Sequence, residues 1–259
     1  MKAFHSIRLV VAFLVSVAAF GLSGRAQATS TAQKVFDSMV EALGGQTFLD
    51  VKEIQTSGRY FTFKRNEVAG SDLYAEYVRF PDMRRLEFGK DKYKTIRIND
   101  GEEGWNVVPP PNGKGGPDVQ PQTPRETQEF LDEFKTGFEY VVRFVARAPK
   151  ASLVNSGSEL LEYKRVDVLE IRDPEKNLLR IYVDREAHLP VKVLMRRADE
   201  SRVTEENYAN WHRFDGVMTP LMIVQYRDGV KVQEVRAEKV AYNPGLADSL
   251  FAPPAKTAK

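Results

Sequence analysis

The sequence predicts a mainly β protein with two or more helices (α+β), built as one large, strongly curved antiparallel sheet. Hydrophobicity runs at period two through most of the chain beyond Ile54, in short runs rich in β-branched and aromatic residues bounded by turn signals. There is no strand-helix-strand alternation of the kind that builds a parallel sheet. Helical periodicity is confined to two segments, one near the start and one near the middle.

Lys2 and Arg8 precede an apolar run from Leu9 to about Leu22, and Ala26-Gln27-Ala28 follows in a small-x-small pattern. This predicts a signal peptide over residues 1–28, cleaved after Ala28, and a single domain over residues 29–259. The apolar run is shorter than the ~20 residues a membrane-spanning helix needs. The chain has no cysteine to carry a lipoprotein's acyl groups or to form disulfides. A periplasmic, unanchored monomer is therefore expected, with full secretion as the lesser option.

Cleavage would remove Lys2, Arg8 and Arg25 from the 38 basic residues and none of the 36 acidic ones, leaving 35 against 36. A nearly neutral chain without a concentrated basic face argues against nucleic acid as a partner.

The first helix is predicted from about Ala32 to Leu43, where Val35, Phe36, Met39, Val40 and Leu43 share a face, and Gly44-Gly45 stops it. Strand-like runs follow through "EGWNVVP", with breaks at Gly70, Pro81-Asp82, Gly89-Lys90 and Asp100-Gly101. The stretch Pro109 to Gln122 holds neither a helix nor an interior strand by composition, and reads as a long mobile loop. Thr123-Pro124-Arg125-Glu126 supplies a capping box for a helix running to about Ala148, with Gly137 able to kink or split it. Its apolar stripe includes Phe130, Phe134, Phe138 and Val141. Seven more strand-like runs follow, with Arg227-Asp228-Gly229 and Asp215-Gly216 as hairpin turns, for eleven or twelve strands in all.

The catalytic inventory is thin. Asp184, Glu186 and His188 alternate in "DREAHLP", a spacing that offers a metal two carboxylates and an imidazole, but a polar hairpin turn is the plainer reading. His212 reads as a rim residue near a strand end. The adjacent carboxylates Glu102-Glu103, Asp199-Glu200 and Glu205-Glu206 point to opposite faces wherever they lie in a strand, so none is a ready acid/base couple. No catalytic residue, metal site or cofactor is expected, and an envelope hydrolase using His188 and His212 is a distant third reading.

An apolar surplus stands out instead. "VMTPLMIVQY" carries Val217, Leu221 and Ile223 on one face and Met218, Met222, Val224 and Tyr226 on the other. A strand wetted on one side should alternate. Either protein covers both faces, or one face lines a cavity for an apolar ligand.

Three stretches carry a family likeness. "LLRIYVDREAHLPVKVLM", "YANWHRFDGVMTPLMI" and "YNPGLADSLFAPP" resemble the hairpins and the Asn-Pro…Asp-Ser-Leu-Phe ending of the periplasmic outer-membrane lipoprotein carriers, the LolA/LolB-like lipoprotein-sorting family. The opening "FDSMVEALGG" is similar to exported relatives of that family. The resemblance implies an unclosed β-barrel whose apolar concave face is covered by helices and takes up acyl chains, with a barrel-facing arginine controlling closure. Arg59 and Arg79 are strand arginines that could serve, the plainer reading of each being a solvent-facing side chain.

The expected function is a carrier or chaperone for a lipid or acylated lipoprotein, exchanging it with donor or acceptor proteins at membranes. Cavity and lid candidates are Phe130, Phe134, Phe138 and Val141 of the helix with Tyr60, Phe61, Trp105, Trp211, Leu221 and Ile223 of the strands. The alternative is a non-enzymatic envelope sensing or scaffold module that fills the same cavity with its own side chains and binds a protein.

Overall fold

The computed structural model describes residues 31–111 and 114–254. The expected signal peptide lies outside the described residues.

Helix α1 covers residues 31–43. Ala32, Phe36, Met39, Val40 and Leu43 are its buried face, at the predicted spacing. Gly45 N–H donates to the Val40 carbonyl at 2.8 Å and Gly44 takes φ 132°, a left-handed turn that ends the helix. A side chain at Gly44 would meet the Gly216 carbonyl at 2.6 Å, so the turn packs backbone to backbone against a hairpin 172 residues on. The one-turn helix α2, Gln46–Leu49, then buries Phe48.

Thirteen strands follow among the described residues: β1 Glu53–Lys64, β2 Glu67–Arg79, β3 Met83–Phe88, β4 Thr95–Asn99, β5 Gly104–Val108, β6 Asp118–Pro121, β7 Ser152–Leu161, β8 Lys164–Arg172, β9 Leu178–Asp184, β10 Pro190–Arg196, β11 Thr204–Phe214, β12 Val217–Arg227 and β13 Val230–Tyr242. They form one antiparallel sheet in the order β6-β5-β4-β3-β2-β1-β13-β12-β11-β10-β9-β8-β7. Two meanders are thus joined along β1 and β13, and β6 and β7 are the free edges. The sheet does not close.

Two-residue turns with positive φ at both positions connect several neighbours: Asp215-Gly216 and Asp228-Gly229, as expected, but also Arg65-Asn66 and Glu162-Tyr163. The break expected at Gly70 falls inside β2, because Asn66 and Arg65 adopt the left-handed conformation that composition had assigned to the glycine. The strand beyond the expected eleven or twelve is β6, drawn from the proline-rich stretch read as loop. It pairs only with β5. An edge strand needs partners on one side alone, so proline is tolerated there.

The connection between the two edges is helical. In α3, Pro124–Thr136, the Thr123 hydroxyl accepts from Glu126 N–H at 3.3 Å and the Glu126 carboxylate accepts from Thr123 N–H at 2.7 Å. Gly137 sits in extended geometry at φ −69°, ψ 156°, which breaks the helix expected to run to Ala148. Helix α4 starts anew at Phe138–Tyr140 and continues as a π-helical turn, Val141–Val145.

The main core packs α1, Phe48, and Phe138, Val141 and Val142 of α4 against Leu169, Ile171, Ile181 and Val193 of β8 to β10. A second, small cluster of Ile96, Ile98 and Val107 supports the far arm of the sheet. Arg143 ties the main core together. Its guanidinium is 4.0 Å from the ring centre of Phe48 and 5.2 Å from that of Phe80, and Nε donates to the Phe48 carbonyl at 2.9 Å. It also pairs with the Glu139 carboxylate one turn back. Burial pulls the guanidinium down to about 9, so it stays charged at neutral pH.

Arg143→Ala leaves a carbonyl unpaired and a void between two rings, and should cost about 3 kcal/mol of unfolding free energy. Arg143→Lys keeps the charge but loses the planar stack, and should recover less than half of that. Urea titration reads both, and a loss near zero in the alanine variant would remove Arg143 from this role.

Candidate functional site: a cavity beneath helix α3

A cavity of about 750 Å³ lies between α3 and the sheet, floored by β10 to β13, β1 and β2. The floor follows from strand parity. On β12, Thr219, Leu221, Ile223, Gln225 and Arg227 alternate onto one face and all line the cavity. One face of the apolar run therefore looks into open space, while Val224 on the other face is buried.

On β11 parity alone is not enough. Tyr208 and Trp211 are three apart and should face opposite ways. The pairing skips Asn210 between Ala209↔Met222 and Trp211↔Pro220, and Asn210 takes φ 58°. The register is the same on both sides of this gap, so no residue is inserted; the left-handed backbone of Asn210 interrupts the alternation and brings Trp211 to the cavity beside Tyr208, with ring centres 6.1 Å apart.

Helix α3 roofs the space with Glu129, Glu133 and Phe134. Phe134 stacks on Phe80 at 5.7 Å and on Phe130 at 6.2 Å. Within α3 only Thr127 is buried, whereas Phe138, Val141 and Val142 beyond Gly137 belong to the core. The predicted aromatic stripe is thus divided between a shallow roof and an anchored root.

Polar groups ring the middle of the cavity. Burial raises the Glu206 carboxyl above the usual glutamate range, Tyr208 Oη (2.5 Å) and Gln225 Nε2 (3.1 Å) hold it down as donors, and nearby Glu133 pushes it up again. Burial together with Glu206 drives the Tyr208 phenol well above its ordinary value. Arg84 of β3 pairs with Glu76 at 2.6 Å and lies 5.6 Å from the Phe130 ring centre.

Of the residues singled out from sequence, Phe134, Phe138, Trp211, Leu221 and Ile223 meet around this cavity. Phe130 stands one turn outside it, stacked on Phe134. Val141 lies in the main core. Tyr60 shares the cavity face of the sheet, opposite Val235, but bonds Gln233 at 3.0 Å and packs on Phe88 outside the walls. Phe61, its neighbour, faces the other way beneath Arg236. Trp105 packs on the second cluster.

Arg59 and Arg79 both lie away from the cavity. Arg59 is 3.7 Å from Glu238 at the surface. Arg79 instead fastens the chain's end: it bonds Glu53 (2.9 Å), Asp248 (2.6 Å) and the Leu246 carbonyl, with Phe251 buried beneath it. The arginines that do line the cavity are Arg84, Arg125, Arg197, Arg202 and Arg227, missed together with Glu206 and Gln225. Their parity with Leu221, Ile223 and Tyr208 was the available signal, but a charged or amide side chain in a strand is read as solvated by default. His188 takes φ 56° in a turn capped by Asp184, and His212 is exposed beside Asn210. Among the described residues no cluster of histidine, aspartate and glutamate is arranged to hold a metal ion.

Glu206 makes a pH prediction. Its pKa is higher folded than unfolded, so its stabilising contribution is complete below the ordinary glutamate range and is lost as pH rises through the raised value. Glu206→Gln should therefore raise the melting temperature at neutral pH and leave it nearly unchanged at about pH 4. Melting curves across that range check it; an equal shift at both ends would contradict the sign.

No family model and no curated protein matches the chain. Solved structures do. A DUF1329 family protein from Desulfovibrio piger is 11% identical over 85% of this chain and 97% of its own, with a TM-score of 0.59. An outer membrane lipoprotein-sorting protein domain from Vibrio parahaemolyticus is 14% identical over 85% and 97%, at 0.56. A LolA superfamily protein from Nitrosomonas europaea is 13% identical over 83% and 96%, at 0.53. At these identities the likeness is one of architecture, and the chain has the LolA-like fold, an open antiparallel sheet that stops short of closing into a barrel.

Proposed function

We propose that this protein is a periplasmic carrier that shields acyl chains of a lipid or lipoprotein in the cavity beneath α3. The observation that carries the reading is an open space of about 750 Å³ roofed by a helix that buries almost nothing of its own. That volume is within the ~300–1,000 Å³ of small-molecule sites. Leu221, Ile223, Trp211 and Phe138 supply apolar lining. Each methylene taken from water contributes about 0.8 kcal/mol, so a chain of ~14 gains roughly 11 kcal/mol before ordering costs. The competing expectation, a scaffold that fills the cavity with its own side chains, fits poorly with so much empty volume.

The two halves of the aromatic stripe then have different work. Phe138 roots the connection in the core, and Phe134 roofs the ligand space across the Gly137 break. Export by the signal peptide and hand-over between membrane-associated donor and acceptor proteins belong to the same proposal.

Protein purified from periplasm should release acyl species on solvent extraction, read by mass spectrometry, and the stripped protein should bind a fluorescent fatty-acid probe. Absence of both would sink the carrier reading. Ile223→Trp fills the floor and should reduce probe affinity at least tenfold with the fold intact by circular dichroism. Phe138→Ala should cost about 3–4 kcal/mol of stability, whereas Phe134→Ala should cost about 1 kcal/mol and accelerate probe exchange in stopped flow. Equal stability losses would mean that α3 is core and not a roof.

A further inference from the structure

The cavity floor changes character along β10 to β13 in the same direction. On β12 the lining runs Thr219, Leu221, Ile223, Gln225, Arg227, and on β11 it runs Trp211, Tyr208, Glu206, Thr204, with Arg202 just before the strand. The ladder sets these gradients side by side, pairing Tyr208 with Ile223, Glu206 with Gln225 and Thr204 with Arg227. The neighbouring strands agree: Gln233 of β13 lies opposite Gln225 and Val235 opposite Ile223, and Met195 of β10 precedes Arg197. From Leu221 to Arg227 the floor advances ~20 Å at ~3.3 Å per residue.

The apolar end is stopped. Leu43 lines it, and the turns at Gly44 and Gly216 are in backbone contact behind it. The opposite end carries arginines at the surface. Arg125 there is held by Glu129 at 2.7 Å, and Arg197 by Asp132 at 2.9 Å and Asp199 at 3.0 Å, with Glu200 at 3.9 Å. Arg202 and Arg227 are different: both are exposed and neither makes a salt bridge among the described residues. They are also neighbours, because Val203 and Asp228 between them exchange two hydrogen bonds of 3.2 Å.

Resting on the carrier reading, we infer that the cavity selects an amphiphile with an anionic headgroup, a phosphate or a carboxylate, held by Arg202 and Arg227 while its acyl chain runs down the floor toward Trp211. The Asp228 carboxylate between them accepts from Val203 N–H and forms no salt bridge with either arginine, so two neighbouring guanidinium groups remain to offer planar, paired donors to oxygens of a phosphate or carboxylate. Gln225 and Gln233 suit the linkage between head and chain. The buried carboxyl of Glu206, one ladder step inward of Arg227, disfavours an anion that enters deeply, so the head stays at the mouth.

Isothermal titration of the stripped full-length protein with dodecyl phosphate, dodecanoate, monododecanoylglycerol and dodecyltrimethylammonium tests this. At low salt the anionic amphiphiles should bind about tenfold tighter than the uncharged one, and added salt should shrink the difference. Arg202→Gln/Arg227→Gln should abolish the preference while leaving monododecanoylglycerol affinity and the urea midpoint unchanged. A preference for dodecyl phosphate over dodecanoate identifies a phosphate head. Equal binding of all four, a preference for the cation, or a preference that survives the double substitution overturns the inference and leaves the carrier reading standing. No binding by any of the four removes the carrier reading, and this inference with it.

Discussion

An open sheet has two free edges, and the chain has to travel from one to the other. Laid flat, thirteen strands at ~4.8 Å spacing would separate β6 from β7 by nearly 60 Å. The helical part of the connection has 13, 3 and 5 residues in its three segments and advances only ~1.5 Å per residue, roughly 32 Å in all. The sheet curls, as twisted sheets do, its edges draw together, and the crossing helices lie over one face. A curled sheet and a straight helix do not match in shape. The gap between them is the cavity, and it exists because the connection is a chord across an arc.

Arg143 decides which part of that chord is fixed. Sandwiched by Phe48 and Phe80 and bonded to the Phe48 carbonyl, it fastens α4 to the start of the domain and to the end of β2. The π-helical turn that carries it widens the helix locally, a distortion that a buried charge sustains only with good partners. Gly137 then isolates α3 from this anchorage. Roof and root are one apolar stripe in sequence and two mechanical parts in the fold.

The carboxyl of Glu206 and the guanidinium of Arg84 sit where an acyl carrier of uniform character would have aliphatic side chains. Both are compensated within the wall, by Tyr208 and Gln225 in one case and by Glu76 in the other. In the proposed carrier, polar groups so arranged would tolerate an apolar neighbour along one side and set a boundary between chain and headgroup. The same balance explains why strand composition alone concealed them.

Local rules were enough for much of this protein. The cap at Thr123, the stop at Gly44-Gly45, the hairpins at Asp215-Gly216 and Asp228-Gly229 and the period-two strands depend on neighbours in the chain, and so the sequence determined them. The left-handed residue Asn210 within β11, the edge strand β6, the left-handed Arg65-Asn66 turn and the faces of Tyr60 and Trp105 depend on which strand lies alongside. Those were settled only by the ladder. The cavity belongs to neither strand nor helix: it arises from the mismatch between a curled sheet and the chord that spans it, a property that no stretch of residues carries and that only the tertiary structure decided.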